Sequence, residues 1–308
     1  MSATHSRHAS RAPLAVRVAL PVGVLFTAIA SLATLAGVLA EEPVADELPA
    51  PVAAMVLPQI SVDEVVAANP CADGVVLDSL AAGDDSATIA AFGGAEEFRT
   101  AVVAGNARCV PLDDPTHVWV VVNKLRSLNS IDFAPESVTR SRLRANSGSV
   151  SMHPEAAEAL SRMADAARAD GAGAIGINNA YRSYRLQQVT HASIVRSDGP
   201  EEADARSARP GHSEHQTGFA ADVVACASVC GGISRFGGTS QSAWVAEHAW
   251  EHGFIVRYES GATGTTGYIP EPWHLRYIGV ELAAAYHTGG FHTLEDFFGL
   301  PDAADYAH

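Results

Sequence analysis

The stretch Ser213–Asp222, which reads Ser-Glu-His-Gln-Thr-Gly-Phe-Ala-Ala-Asp, constrains the fold more than any other part of the chain. It places an imidazole, His215, and a carboxylate, Asp222, seven residues apart. Side chains alternate between the two faces of a strand, so an odd separation cannot put both on one face of a regular strand. Gly218 permits a turn between them. We therefore expect His215 to precede a strand and Asp222 to lie on it.

A second segment, Glu271-Pro-Trp-His274, offers another imidazole three residues after a carboxylate. Pro270 and Pro272 exclude a helix here, so we expect Glu271 on a bend and His274 on a strand. Two histidines and one aspartate form a three-ligand zinc set with one open coordination position, which is the catalytic arrangement. Glu271 is then left over as a carboxylate that can activate water. A lone histidine is more often a core or surface residue, so this prediction depends on the joint pattern.

Composition limits the possible function classes. The chain has 308 residues, enough for one large or two small domains, and its 47% hydrophobic content fits a protein with a substantial core. The formal net charge of -15 argues against nucleic-acid binding, which calls for basic surfaces. The acidity is concentrated at 41–115, where 14 acidic residues face only Arg99 and Arg108.

The N-terminus has the pattern of an export signal. Arg7, Arg11 and Arg17 precede an uncharged run from 18 to 40, which ends in Val-Leu-Ala just before Glu41. As a helix the run would be about 35 Å long, so both a cleaved signal and a retained membrane anchor at 1–40 stay open. Either way, the positive-inside rule places the rest outside the cytoplasm, with membrane contact only through this segment. Residues 41–60 are acidic and rich in Pro and Ala, which is typical of a stalk.

An exported chain makes its four cysteines candidates for disulfides. Pairing by neighbourhood favours Cys71–Cys109 and Cys226–Cys230, although four cysteines allow three connectivities. A cysteine metal site is disfavoured because the chain has no Cys-x-x-Cys. The first pair would close a small, weakly helical cap at 61–115 whose function the sequence does not indicate.

Residues 116–308 alternate helical and strand-forming segments, which favours an α+β domain. The last two strands are expected to pair as a hairpin around the Gly- and Thr-rich segment 261–267, and 197–212 is expected to be a loop. The predicted strands are Val118–Val122, Ala174–Ala180, Phe219–Ala225, Phe254–Tyr258 and Trp273–Ile278. The predicted helices are Pro154–Asp170, a helix capped by Ser183 that runs to about Val195, and Ser242–His252.

The segments Ser213–Asp222 and Glu271–His274 resemble the double signature of the LAS zinc metallopeptidases. Within that group they are most similar to the VanY-type D-alanyl-D-alanine carboxypeptidases. The signature is Ser213-x-His-x-x-Gly-x-Ala-x-Asp222 followed by Glu271-x-x-His274. Supporting motifs are Asn123-Lys124, Tyr181–Gln187, Pro210–Gly218, His252–Tyr258 and Glu271–Gly279. The resemblance covers roughly 118–290 and explains nothing before 115. It implies the LAS (hedgehog/D-Ala-D-Ala peptidase-like) fold, a small antiparallel sheet flanked by helices with a zinc site on the sheet.

The resemblance also implies roles for individual residues. Glu271 would be the general base, taking a proton from the zinc-bound water and later passing it to the leaving amine. Arg182 would face the substrate and stabilise the developing oxyanion or grip a carboxylate. Ser213 and Gln187 would help to hold the terminal carboxylate of the substrate. The implied ligands of Zn²⁺ are His215, Asp222 and His274.

The implied activity is removal of the terminal D-alanine from peptidoglycan stem peptides. An L,D-carboxypeptidase and a peptidoglycan endopeptidase stay open as alternatives on the same site. A non-catalytic zinc-containing binding module is a further alternative, which Glu271 and Arg182 argue against. Pro270 stands where relatives usually carry an aromatic residue, Phe219 replaces a common leucine, and the loop 226–232 is an elaboration. These departures leave the substrate preference open, and nothing in the sequence indicates an oligomeric state.

Overall fold

The computed structural model describes residues 69–307. The predicted signal or anchor, the stalk and the first residues of the predicted cap lie outside the described residues. Residues 69–307 all belong to one compact unit, Glu64–His308. Within 69–307 no helix combines the length and the apolar character that a membrane crossing requires.

After a 3-10 turn at Pro70–Ala72, three short α-helices follow: α1 (Gly74–Ala82), α2 (Asp85–Ala91) and α3 (Ala95–Val103). They correspond to the weak helical character predicted for this region. The disulfide Cys71–Cys109 encloses them, as neighbourhood pairing predicts. Phe98 of α3 packs against Trp119 with ring centroids 5.1 Å apart. The helices therefore share an apolar core with the residues that follow.

The prediction of a strand over Val118–Val122 is wrong. The segment is buried but belongs to no strand. Two of its carbonyl groups accept hydrogen bonds from an arginine side chain instead of from a neighbouring strand. Arg276 Nη2 donates to Val118 O (3.0 Å) and to Val120 O (2.8 Å). β-branched residues are common in strands largely because they pack well in buried positions. The valines of this segment are therefore explained by its burial and do not require a strand.

Seven strands follow: β1 (Thr139–Arg140), β2 (Arg144–Ala145), β3 (Ser151–Met152), β4 (Ala174–Asn179), β5 (Ala220–Cys226), β6 (Phe254–Tyr258) and β7 (Glu271–Tyr277). Five of them form one sheet in the order β2-β4-β5-β7-β6, and β1 and β3 form a second sheet of two strands. Neighbouring strands of the larger sheet pair antiparallel except for the parallel pair of β2 and β4. This agrees with the predicted α+β class.

Helices flank this sheet: α4 (Pro154–Ala169), α5 (Tyr184–Asp198), α6 (Pro200–Arg206), α7 (Ser240–His248), α8 (Thr263–Thr266), α9 (Val280–Thr288) and α10 (Leu294–Phe297). Helix α4 begins with a proline and buries Leu160, Met163 and Ala167 in the main core, as its spacing predicts. Helix α5 is capped by Ser183, whose Oγ accepts a hydrogen bond from the Leu186 N–H.

Two local predictions need correction. The expected loop 197–212 contains α6, whose sequence carries a proline in the first turn, acids at its start and Arg206 at its end. Glu271 was expected on a bend, but it is the first residue of β7 and pairs with Tyr258. An irregularity in the register between Val256 and Tyr258 lets the proline-flanked residue join the ladder. The hairpin of β6 and β7 itself is confirmed.

Candidate metal centre

Two neighbouring strands and one turn position the three predicted metal ligands. Asp222 on β5 and His274 on β7 are directly paired residues of the antiparallel ladder. His215 lies in the 3-10 turn Glu214–Thr217, which ends at Gly218 in the left-handed region with φ 82°. This is the arrangement that the odd spacing of His215 and Asp222 predicts, because the glycine turn redirects the chain before the strand begins.

The donor atoms of these three side chains converge. His215 Nε2 lies 3.3 Å from Asp222 Oδ2, and His274 Nδ1 lies 3.2 Å from Asp222 Oδ1. One ligand atom from each of the three residues can be chosen so that all lie within 4.8 Å of one another. All three residues are buried. Two imidazoles and a carboxylate around one point match the donor chemistry of zinc.

The other ring nitrogen of each histidine already has a partner. His215 Nδ1 is 2.8 Å from the carbonyl oxygen of Ala180, and His274 Nε2 is 3.0 Å from Glu214 Oε2. Such contacts fix the ring orientation and leave the opposite nitrogen free to bind a metal. The residues present therefore fit the predicted zinc ion.

Electrostatics keep the ligand carboxylate ionised. Although burial opposes it, the pKa of Asp222 is lowered far below its usual range, chiefly by the charge of His215. Burial lowers the pKa of His215 itself. For His274, burial acts in the lowering direction, but hydrogen bonds to Asp222 and Glu214 prevail and raise the pKa to about 9. The ionised carboxylate of Asp222 thus faces both imidazoles, and a carboxylate at this point favours binding of a cation.

Glu271 stands beside the ligands as a carboxyl group of different character. Its Oε2 lies 3.8 Å from His274 Nδ1, and its side chain is 14% exposed. Burial raises the pKa of Glu271 to about 7, with the charge of Asp222 acting in the same direction. A carboxyl group that titrates near neutral pH can both take and return a proton, which is the property of a general acid–base catalyst.

Arg182 completes the charged part of the site. It follows β4, and its backbone N–H donates to His215 O (3.1 Å), which ties the two segments together. Its Nε is buried and has no hydrogen-bond partner among the described residues. Burial lowers the pKa of Arg182, and the charges of Asp222 and Glu271 act in the opposite direction. It is a cation whose donors are not fully used within the described protein.

A cavity of about 390 Å³ opens onto these groups. Ser213 lies in its wall, as the resemblance implies, together with the three ligands, Glu271 and Arg182. Gln187 is fully buried and does not line it; its Nε2 donates to Ala208 O and Ser207 Oγ, so it supports a wall segment instead. Further wall residues are Thr190, Ile194, Tyr258, Ile269 and Trp273.

A larger, more apolar cavity of about 590 Å³ lies along β6. It contains none of the predicted site residues and shares only Tyr258 with the first cavity. Along β7 and the residue before it, Glu271 and Trp273 face the smaller cavity, whereas Pro270 and Pro272 face the larger one. The smaller cavity is therefore lined by every predicted site residue except Gln187.

Two residues near the site were not singled out from the sequence. Glu214 is buried and bonds to His274, yet in the sequence it is one acidic residue within the His215 segment. Tyr258 lines the cavity with its ring centroid 4.9 Å from that of His274. A signal for Tyr258 was its place at the end of a predicted strand that pairs with the His274 strand. For Glu214, direct adjacency to His215 was the only hint.

Comparisons with known proteins match the region of the chain that contains this candidate site. The VanY family model, described as D-alanyl-D-alanine carboxypeptidase, matches residues 149–280, which include all the predicted site residues. The putative carboxypeptidase YodJ of Bacillus subtilis (strain 168) is 39% identical over 198 residues, covering 61% of this chain and 69% of that protein. A D-alanyl-D-alanine carboxypeptidase of Enterococcus faecium is 32% identical over 147 residues, covering 47% of this chain and 43% of that protein. The similarity thus spans less than half of the Enterococcus protein.

Among solved structures, that of the LdcB LD-carboxypeptidase is similar with a TM-score of 0.55 and 33% identity. The similarity covers 60% of this chain and 87% of that chain. It confirms the LAS fold that the sequence resemblance implies. With 39% identity over more than two thirds of the Bacillus protein, and with the family model matching the region of the site, the chain belongs to the VanY family of D-alanyl-D-alanine carboxypeptidases and is a hydrolytic peptidase.

Proposed function

We propose that this protein is a zinc-dependent D,D-carboxypeptidase that removes the terminal D-alanine from peptidoglycan stem peptides. One observation carries the proposal: three ligand side chains converge on one wall of a cavity in which Glu271, with a pKa of about 7, stands beside them. Family membership and the activity named for the Enterococcus relative supply the substrate class.

His215, Asp222 and His274 would hold the zinc ion through His215 Nε2, an Asp222 oxygen and His274 Nδ1, since these atoms face one another. Bound zinc lowers the pKa of water and polarises a carbonyl group. The ladder pairing of Asp222 with His274 holds two of the ligands on a rigid sheet. A site built on paired strands needs little rearrangement to bind the ion.

Glu271 would act as the general base. It takes a proton from the attacking water and delivers it to the nitrogen of the leaving D-alanine, so the C–N bond breaks as the amine becomes neutral. Burial supports this role because it raises the pKa of Glu271 to about 7 in the metal-free protein, which makes the carboxylate a stronger base. A carboxylate with an ordinary pKa would take the proton from the water less readily.

Arg182 and Ser213 would bind the substrate. The incompletely paired guanidinium of Arg182 can stabilise the negative charge that develops on the scissile carbonyl oxygen, or bind the terminal carboxylate. Ser213 can donate its hydroxyl to the substrate carboxylate from the cavity wall. Gln187 is proposed to act on the same carboxylate, which would require its side chain to leave the hydrogen bonds to Ser207 and Ala208.

An L,D-carboxypeptidase is the second candidate, because the similar LdcB structure is that of an LD-carboxypeptidase. Both activities cleave the last peptide bond of a stem peptide, and we propose that this chain acts on that bond outside the cytoplasm. A binding module without catalysis is disfavoured, since binding alone requires neither Glu271 nor Arg182.

The test is incubation of the full chain with purified pentapeptide and tetrapeptide muropeptides, with the products read by mass spectrometry. The D,D activity predicts loss of one alanine from the pentapeptide and an unchanged tetrapeptide. Loss of alanine from the tetrapeptide alone would establish the L,D alternative. Two intact substrates in the presence of zinc would contradict the proposed function.

A further inference from the structure

Glu214 joins the proposed metal centre to a group of buried charged side chains. Its side chain is fully buried, and both carboxylate oxygens are engaged. Oε2 lies 3.0 Å from His274 Nε2. Oε1 accepts from Arg257 Nε (2.9 Å) and from Arg276 Nη1 (3.1 Å). One carboxylate therefore contacts three side chains from the two strands of the β6–β7 hairpin.

The two arginines are themselves held on their far sides. Arg257 donates Nη1 and Nη2 to Glu295 Oε2 (3.0 Å) and Oε1 (2.8 Å). Glu295 also accepts from Asn123 Nδ2 at 2.9 Å. Arg276 is tied to the carbonyl groups of the Val118–Val122 segment. Because these partners are fixed, Glu214 Oε1 must stay an acceptor, and the carboxylate cannot turn away from His274.

We propose that Glu214 is a positioning residue that selects the metal-binding nitrogen of His274. Its Oε2 can only accept, so it requires a proton on His274 Nε2. Nδ1 is then left with its lone pair towards Asp222 and His215, where the metal is proposed to bind. This inference rests on the proposed function only in taking His274 as a metal ligand.

Replacement by glutamine distinguishes this role from a merely structural one. A glutamine at 214 has one oxygen and one NH₂ group. Its oxygen is required by Arg257 and Arg276, which can only donate, so the NH₂ group faces His274 Nε2. That group donates, so Nε2 becomes the acceptor and the proton moves to Nδ1. A nearly isosteric change thus reverses the tautomer of His274 and blocks the metal-facing nitrogen.

The experiment compares zinc affinity in Glu214→Gln and in the wild type. Full-length metal-free proteins are titrated with Zn²⁺ in competition with a chromophoric chelator, and folding is checked by near-UV circular dichroism. Loss of a partner that orients a histidine ligand typically weakens metal binding 10–100-fold, and we expect a loss of about that size. Folded Glu214→Gln with a zinc affinity within twofold of wild type would overturn the proposal.

Asp85→Asn is the matched control. Asp85 Oδ1 contacts His117 Nδ1 at 2.6 Å, and its side chain is largely buried, but this pair touches none of the proposed ligands. Its replacement should lower thermal stability and leave zinc affinity unchanged. An equal loss of affinity in both variants would show a general effect of disturbing a buried carboxylate–histidine pair, and would contradict a specific role for Glu214.

A measurement on the wild type decides the matter if Glu214→Gln fails to fold. ¹⁵N NMR of zinc-loaded protein, with His274 assigned by the signal lost in His274→Gln, should show a proton on Nε2 and metal on Nδ1. Metal on Nε2 would overturn the inference. A wild type that binds no zinc would instead contradict the proposed function, so the two failures are distinguishable.

Discussion

Asp222 and His274 lie directly opposite each other on adjacent antiparallel strands, although 52 positions separate them in sequence. The backbone ladder of β5 and β7 therefore brings these two proposed ligands together through folding alone. His215 reaches the same point through a turn that ends at Gly218. The site is preorganised by secondary structure, which agrees with a rigid catalytic centre better than with a site assembled by loops.

Glu271→Gln should abolish hydrolysis without loss of the metal. The amide cannot take the proton of the attacking water, and removal of a general base typically costs 10²–10⁴-fold in rate. Zinc content, measured by elemental analysis, should equal that of the wild type because Glu271 is not among the proposed ligands. Hydrolysis at the wild-type rate would remove Glu271 as the base.

His215→Ala should lose both metal and activity, since it removes one of three ligands. His292→Ala is the control for loss of an imidazole, because His292 is exposed and pairs only with Glu259 in the described structure. Full zinc occupancy in His215→Ala would refute the ligand set.

The raised pKa of Glu271 predicts a pH-dependent loss of stability in protein stripped of metal by a chelator. Between about pH 4.5 and 7 the unfolded chain releases a proton that the folded Glu271 retains, so stability falls as pH rises through this window. Glu271→Gln does not titrate there. The free energy of unfolding of Glu271→Gln minus that of the wild type should therefore rise by about 1–3 kcal/mol between pH 4.5 and pH 7.5, as measured by urea unfolding. If this difference does not change with pH, the pKa of Glu271 is not raised in the folded protein.

Arg182→Ala should lower kcat/KM by about 10²–10³-fold while zinc content stays unchanged, because it removes a donor for the developing oxyanion. Arg182→Lys should recover only part of the loss, since an ammonium group lacks the planar fork of a guanidinium. Arg185→Ala, an exposed arginine on α5, is the control for loss of one positive charge. An Arg182→Ala variant as active as the Arg185→Ala variant would show that Arg182 does not stabilise the transition state.

The two disulfides should differ in their effect on stability. Cys71–Cys109 spans 38 residues of sequence separation and Cys226–Cys230 spans 4. On the loop-entropy model, removal of the first by a double alanine substitution should cost about 4 kcal/mol, and removal of the second about 2 kcal/mol. Thermal unfolding of the two variants provides the comparison. A larger loss on removing Cys226–Cys230 would show that strain or packing, not loop length, decides their contributions.

Much of the fold and of the candidate site can be predicted from the sequence, because the local spacing of residues agrees with the arrangement that the folded chain adopts. The odd spacing of His215 and Asp222 with an intervening glycine can be satisfied in few ways, and the structure adopts the expected one. Val118–Val122 was mispredicted because its β-branched residues satisfy burial, while the arginine that binds its carbonyl groups lies more than 150 residues away in sequence. Long-range partners of this kind leave no local pattern.

Glu214 was missed for a related reason. Its importance comes from two arginines on the β6–β7 hairpin and from His274, and only the folded sheet brings them to it. Gln187 shows the opposite case. The resemblance places it with the substrate, whereas its observed hydrogen bonds lie with Ser207 and Ala208 in the wall behind the cavity.

We propose that His215, Asp222 and His274 together hold one zinc ion. Anomalous diffraction at the zinc edge, from crystals of the zinc-loaded protein, would locate the ion. We expect a single strong peak about 2.0–2.2 Å from His215 Nε2, His274 Nδ1 and an Asp222 carboxylate oxygen. A zinc peak on other residues, with none between these three atoms, would contradict it.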